Sequence, residues 1–192
     1  MTYYIDFDNT IFDTVSFYND LKNVMYSYGI NNDIIDKYQE VSCYSPLKLI
    51  DDLISKNVID KSILIDIGKI FNNAEDYLYQ DALLFLEKIK INNKLVLLTY
   101  GNYDYQERKI NSSKIRDYFN EIIITDKSKS SLELDYQNGI FIDDNTDVLQ
   151  ELLTRKPSKL IRIKRSNNPR SNVVINNDFI EEYKDFNEIS LR

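Results

Sequence analysis

Two aspartates, Asp6 and Asp8, stand two positions apart at the end of a short, largely apolar run, residues 3–7. In an extended strand, residues i and i+2 point to the same side, so these two carboxylates would face each other. Like charges that close repel, and the arrangement is costly unless a bound cation or a shared chemical task offsets the repulsion. The pair therefore indicates a metal site or a catalytic site.

Chemically useful side chains also follow three later apolar runs. Taken alone, each has an ordinary role as a helix cap, a core hydroxyl or a solvated surface charge. In open parallel α/β sheets, ligands bind at the carboxyl ends of the strands. The ordered set of acid pair, hydroxyl, lysine and second acid pair therefore indicates a site more strongly than any member does. The residues are Thr99 and Tyr100 after one run, Asp126, Lys127 and Lys129 after the next, and Asp143, Asp144 and Asp147 after the last.

The composition limits the chemistry that is available. The 192 residues include no histidine and one cysteine, Cys43, which excludes Ser-His-Asp and Cys-His catalysis and an intrachain disulfide. A net charge of −7 argues against nucleic acid as a partner. Small phosphorylated substrates stay possible, because a metal ion can reverse the sign of a local site. With no long apolar stretch and no basic leader, we expect a cytoplasmic protein without a membrane partner.

Apolar runs that alternate with helical patterns predict a mostly parallel, doubly wound α/β sheet. Between the first strand and the rest, the apolar residues recur at helical spacing, which predicts a helical insertion over residues 15–80. We therefore expect a core domain formed by residues 1–14 and 81–192, with the insertion as a small second domain. The predicted strands are 3–7, 94–99, 121–125, 139–143 and 159–164, with a possible edge strand at 173–175.

Four motifs in this order resemble those of the haloacid dehalogenase-like (HAD) hydrolase superfamily: DFDNT at 6–10, LLT at 97–99, Lys127, and FIDD at 141–144. The insertion is similar to the C1-type helical cap of that superfamily. The resemblance implies a Rossmann-like core with five strands in the order 3-2-1-4-5. It also implies that the cap governs substrate choice, through candidates such as Tyr18, Tyr38, Tyr44 and Lys48.

The resemblance further implies phosphoryl transfer through an aspartyl-phosphate. Asp6 would be the nucleophile, and Asp8 would serve as general acid and then as base. The Thr99 hydroxyl and the Tyr100 amide would bind the phosphate, although many relatives carry asparagine where Tyr100 stands. Lys127 would complete the cradle because it directly follows a strand, with Lys129 as the alternative lysine.

The implied cofactor is Mg²⁺, which prefers oxygen ligands. Asp6, the backbone carbonyl of Asp8, Asp144 and, directly or through water, Asp143 would hold it. Asp147 is either a supporting acid or an acid favoured in the first turn of a helix. The dehalogenase branch lacks the second aspartate of the first motif, so the presence of Asp8 favours phosphoryl chemistry.

These residues predict a phosphatase that acts on a small phosphorylated metabolite, as a monomer or weak homodimer. A sugar phosphomutase of the same superfamily would use the same four motifs and stays an alternative. A phosphoacceptor receiver module or a binding protein without turnover is a further alternative. The order of the motifs does not match a receiver, and the retention of Asp6 and Asp8 disfavours a silent binding protein.

Overall fold

A computed structural model describes residues 1–39 and 45–190. Cys43 and the cap candidate Tyr44 lie outside this part of the chain. Across the described residues, no helix combines the length and the apolar character needed to cross a membrane.

The centre of the fold is a six-stranded, fully parallel sheet with the order β3-β2-β1-β4-β5-β6. Its first five strands have the predicted order 3-2-1-4-5, and a sixth strand extends the sheet. The strands are β1 (Thr2–Ile5), β2 (Lys94–Tyr100), β3 (Glu121–Thr125), β4 (Gly139–Asp143), β5 (Lys159–Ile163) and β6 (Ile180–Tyr183).

The apolar strands are covered on both faces, as a parallel sheet requires. In β2, Leu95 and Leu97 join one buried cluster, whereas Val96 and Leu98 join a second cluster on the other face. The other strands, several loops and the helices supply the remainder of the two clusters. The α-helices are α1 (Thr14–Ser27), α2 (Asn32–Gln39), α3 (Pro46–Ser55), α4 (Ile63–Asn72), α5 (Gln80–Ile89), α6 (Tyr103–Ser112) and α7 (Thr146–Leu153).

The predicted edge strand at 173–175 is wrong, because the edge of the sheet is β6. Val174 is exposed, and the carbonyl of Val173 accepts a hydrogen bond from Arg162 Nη1 at 2.7 Å. The segment thus caps a buried arginine of β5. The apolar residues VVI predicted a strand there. The actual edge strand, β6, has the mixed sequence IEEY, and its Ile180 pairs with Leu160 of β5.

The helical segment α1–α4 connects to the sheet through two neighbouring crossings of the chain. The Asp13 amide donates to the Tyr77 carbonyl at 2.7 Å, and the Tyr79 amide donates to the Ile11 carbonyl at 3.0 Å. One buried apolar cluster runs without a break from the sheet into these helices. The division into core and cap domains stays a prediction.

Candidate active site

Three acids meet where β1 and β4 end side by side. The two strands pair Ile5 with Ile142, so the next residues, Asp6 and Asp143, emerge as neighbours with Asp144 beside them. One carboxylate oxygen from each of the three residues lies within 4.8 Å of the others, and all three side chains are buried. The register of two parallel strands thus creates the acid cluster that the sequence suggested. We call Asp6, Asp143 and Asp144 the acid trio.

Lys129 is the lysine that reaches the acid trio. Its Nζ donates to Asp6 Oδ1 and to Asp143 Oδ2, both at 2.6 Å, and its side chain is buried. A buried hydroxyl, Tyr136 Oη, donates to the Lys129 carbonyl at 2.9 Å and fixes the turn.

The structure does not bring Lys127, the lysine preferred from the sequence, to the acid trio, because its side chain is exposed. After β3 the Lys127 amide donates to Thr125 Oγ1 at 3.0 Å, which closes a turn. Two further residues carry the chain back toward β1. The alternative lysine, Lys129, is therefore the one in position to act.

The acid trio holds more negative charge than Lys129 offsets. Burial, followed by repulsion from Asp143, raises the pKa of Asp144 to about 7. Burial also raises the pKa of Asp6 well above its usual range, against the attraction of Lys129. The pKa of Lys129 is raised, because its two carboxylates outweigh its burial.

A divalent cation that prefers oxygen ligands fits this cluster. The trio presents only oxygen ligands, which Mg²⁺ prefers, and a cation would relieve the repulsion that adds to the effect of burial on the two pKa values. Hydrogen bonds fix the orientation of the Asp143 and Asp144 carboxylates. Asn168 Nδ2 donates to Asp144 Oδ2 at 2.6 Å, and the Asn145 amide donates to Asp143 Oδ1 at 2.8 Å.

Asp8 has a separate set of partners. Gln106 Nε2 donates to its Oδ2 at 2.6 Å, Thr14 Oγ1 donates to its Oδ1 at 2.5 Å, and Lys109 Nζ forms an ion pair with the same Oδ1. Burial opposes ionisation of this carboxyl, but Lys109 and the three hydrogen bonds outweigh it. The pKa of Asp8 is therefore lowered.

Sequence reasoning missed Gln106 and Lys109, which lie about one hundred positions from Asp8. Their i, i+3 spacing places them on one face of helix α6, but this spacing alone does not distinguish them from solvent-exposed polar residues. Gly101 makes room for Gln106. A Cβ at this position would lie 2.9 Å from Gln106 Nε2, and its φ of +148° is one that other residues rarely adopt.

The predicted phosphate ligands lie at the end of β2. Thr99 is fully buried, and its Oγ1 has no hydrogen-bond partner within the described ranges. Leaving a buried hydroxyl unpaired is costly, which fits a ligand oxygen that completes it. The side chain of Tyr100 is half exposed, and its carbonyl accepts a hydrogen bond from Gln106 Nε2 at 2.9 Å.

The acids open into a cavity of about 520 Å³, a size typical of small-molecule sites. Asp147 is exposed at its wall in the first turn of α7 and does not join the acid trio. Of the cap candidates, Tyr18 and Tyr38 are half-buried and Lys48 is exposed. The described lining does not include them. It consists of Asp6, Asp8, Asn9, Tyr100, Asp126, Ser128, Lys129, Asp143, Asp144, Asn145, Asp147, Val148, Glu151 and Arg170.

No protein-family model and no curated protein matches this sequence. Solved structures with the same architecture do match this chain. A protein from Burkholderia xenovorans described as a haloacid dehalogenase-like hydrolase is 16% identical, with a TM-score of 0.76 over 96% of this chain and 92% of that one. The HAD-hydrolase YfnB from Bacillus subtilis, solved with magnesium bound, is 13% identical, with a TM-score of 0.59 over 97% and 95% of the two chains.

L-2-haloacid dehalogenase from Xanthobacter autotrophicus is similar too, at 18% identity and a TM-score of 0.56 over 85% of this chain and 77% of that one. At these identities the likeness concerns the fold. The chain has the Rossmann-like fold of HAD-like hydrolases, as the four motifs predicted.

Proposed function

We propose that this protein is a Mg²⁺-dependent hydrolase of a small phosphomonoester and that Asp6 is its nucleophile. The observation that carries the proposal is the position of Asp6. It lies at the carboxyl edge of a parallel sheet, beside Asp143 and Asp144, with its Oδ1 held by Lys129 and a small-molecule cavity in front of it. A carboxylate so placed suits in-line attack on a phosphoryl group.

The first step would form a bond between an Asp6 oxygen and phosphorus while the bond to the leaving oxygen breaks. Lys129 would hold Asp6 in place and balance charge on the phosphoryl group. The unpaired Thr99 hydroxyl and the Tyr100 amide would donate to phosphoryl oxygens. The products of this step are an aspartyl-phosphate and the leaving group, which takes up a proton.

The second step would hydrolyse the aspartyl-phosphate. Asp8 would accept a proton from the attacking water as the bond between phosphorus and Asp6 breaks, releasing inorganic phosphate. The lowered pKa of Asp8 keeps this carboxyl ionised and suits it to act as the base. The proton that Asp8 takes from the water in this step is the one that it would donate to the leaving oxygen in the first step of the next turnover.

Mg²⁺, when bound, would neutralise charge on the phosphoryl oxygens. The residues that would hold it are the acid trio and the backbone carbonyl of Asp8.

The fold alone does not distinguish phosphoryl chemistry from halide release, since a dehalogenase shares it. Two features of this chain favour phosphoryl chemistry. One is Asp8, a second carboxylate with its own set of hydrogen-bond donors. The other is the acid trio, whose clustered negative charge calls for a cation.

Hydrolysis of p-nitrophenyl phosphate by the purified full chain tests the proposal. We expect turnover with Mg²⁺, none with excess chelator, and recovery when Mg²⁺ is restored. Asp6→Asn should remove the activity, whereas Asp178→Asn, which changes an exposed acid outside the cavity, should retain it. Undiminished turnover in chelator, or an active Asp6→Asn protein, would overturn the proposal.

A further inference from the structure

The cavity has a second cationic side chain, Arg170, to which the proposed reaction assigns no role. Arg170 lies on a short 3₁₀ turn, Pro169–Asn172, that comes after β5, and its exposed side chain lines the cavity. Within residues 1–39 and 45–190, its guanidinium forms no ion pair, whereas Lys129 is paired with two members of the acid trio. Arg170 is near enough to Asp144 to oppose the rise in its pKa.

The backbone of Arg170 is fixed by two buried side chains. Asn168 Oδ1 accepts a hydrogen bond from the Arg170 amide at 3.0 Å, and Arg162 Nη2 donates to the Arg170 carbonyl at 2.6 Å. Both side chains also reach Asp144: Asn168 Nδ2 donates to its carboxylate and Arg162 Nε to its carbonyl at 3.3 Å. The turn therefore has a fixed position relative to the acid trio, and the arginine has a fixed point of attachment at the cavity wall.

Apart from Lys129, the other charged residues of the cavity wall are acids. Asp126, Asp147 and Glu151 line it together with the acid trio and Asp8, so Arg170 is the one described lining cation without a carboxylate partner. An anionic substituent on a substrate would be repelled by these acids and attracted by the guanidinium of Arg170. A guanidinium binds a carboxylate through two parallel hydrogen bonds, which makes it selective for that planar group.

We propose that Arg170 forms a second anion site, which binds a carboxylate on the leaving group of the substrate. The inference rests on the proposed phosphatase function and adds the chemical class of the substrate to it. The preferred substrate would be a phosphomonoester of a hydroxy acid, with the phosphoryl group at Asp6 and the carboxylate at Arg170.

Two aryl phosphates of nearly equal shape test this inference. One is 4-carboxyphenyl phosphate, and the other is its neutral counterpart, 4-carbamoylphenyl phosphate. The quantity measured is the ratio of their kcat/KM values with Mg²⁺ present. Comparing this ratio between variants cancels the intrinsic difference between the two leaving groups. A hydrogen-bonded charge pair at a partly exposed site corresponds to about tenfold or more in this ratio.

We expect the ratio to fall about tenfold toward the neutral substrate in Arg170→Met, with Arg170→Lys in between, because lysine keeps the charge without the planar fork. Arg155→Met, which removes an exposed arginine outside the cavity, is the control for net charge and should keep the wild-type ratio. The Arg170 variants should fold, since Asn168 and Arg162 contact only backbone atoms of this residue.

An unchanged ratio in Arg170→Met, or an equal fall in Arg155→Met, would overturn the inference while leaving the phosphatase intact. If the wild-type protein hydrolysed neither compound, nor p-nitrophenyl phosphate, the proposed function itself would fail. The two failures are therefore distinguishable.

Discussion

Asp6 and Asp8 leave the same strand, yet their carboxylates are surrounded by opposite kinds of neighbour. Asp6 lies beside two further acids and shares one lysine with Asp143, and burial together with repulsion raises its pKa. Asp8 has a lysine of its own and two neutral donors, and its pKa is lowered. Two residues of the same type, two positions apart, are thereby suited to different tasks. In the proposed reaction, Asp6 would bind a cation and attack phosphorus, and Asp8 would serve as the acid–base group.

The largest difference between the two aspartates is expected when each carboxylate is removed in turn. Asp6→Asn should abolish turnover and form no phosphoryl adduct. Asp8→Asn should keep the nucleophile and slow hydrolysis of the aspartyl-phosphate by roughly 10²–10⁴-fold. Intact-protein mass spectrometry after acid quench of a p-nitrophenyl phosphate reaction should therefore find one added phosphate in Asp8→Asn. An adduct that persists in Asp6→Asn, or that maps to another residue, would refute the assignment of the nucleophile.

The next largest effect concerns the two candidate lysines. Lys129→Met should lower kcat by roughly 10²–10³-fold, because it removes a buried charge that contacts Asp6 and Asp143. Lys127→Met removes an exposed lysine of the same segment and should change kcat little. Circular dichroism of both variants checks that the fold persists. Equal losses in the two variants would show that the contact of Lys129 with Asp6 has no part in the chemistry.

A smaller effect should result when Asp8 loses its lysine. Lys109 is buried, and Lys109→Met would leave the Asp8 carboxylate without its charge partner. Breaking a buried ion pair costs about 3–5 kcal/mol. Because Asp8 is partly exposed, we expect Lys109→Met to lower the free energy of unfolding by about 3 kcal/mol, at the lower end of that range. Urea unfolding measures this loss.

In the same Lys109→Met protein the base of the second step would be displaced, so a fraction of the aspartyl-phosphate should accumulate. Lys114→Met, which removes an exposed lysine paired with Glu75, is the matched control and should unfold like the wild type. If Lys109→Met were as stable and as active as this control, the ion pair between Lys109 and Asp8 would contribute neither to stability nor to activity.

Features that depend directly on the strands could be predicted from the sequence. Asp6, Thr99 and Asp143 were identified because each ends an apolar run, and parallel strands carry their ends to one edge of a sheet. The bounds of β3 and β4 agree with the prediction for the same reason, because each strand contains a continuous apolar run.

Features that depend on the path of the chain between elements could not be predicted. Lys127 was preferred to Lys129 because it directly follows the strand. The turn after β3 is instead set by a hydroxyl contact that no periodicity records. Gln106 and Lys109 reach Asp8 only through the packing of α6 against the end of β1, a long-range contact without a local pattern. Arg170 lies in the loop-like stretch 165–172, where no periodic pattern connects a side chain with the site.

The paired crossings at residues 11–13 and 77–79 also connect to the rim of the cavity. Because they are hydrogen-bonded to each other, the two crossings form one junction between the helical segment and the sheet. Arg165 is attached at this junction, since its guanidinium contacts the Thr10 carbonyl and Asp81. Ser171 Oγ, from the turn that carries Arg170, donates to the Arg165 carbonyl at 2.5 Å. Arg165 thus joins the base of the helical segment to the turn where Arg170 stands.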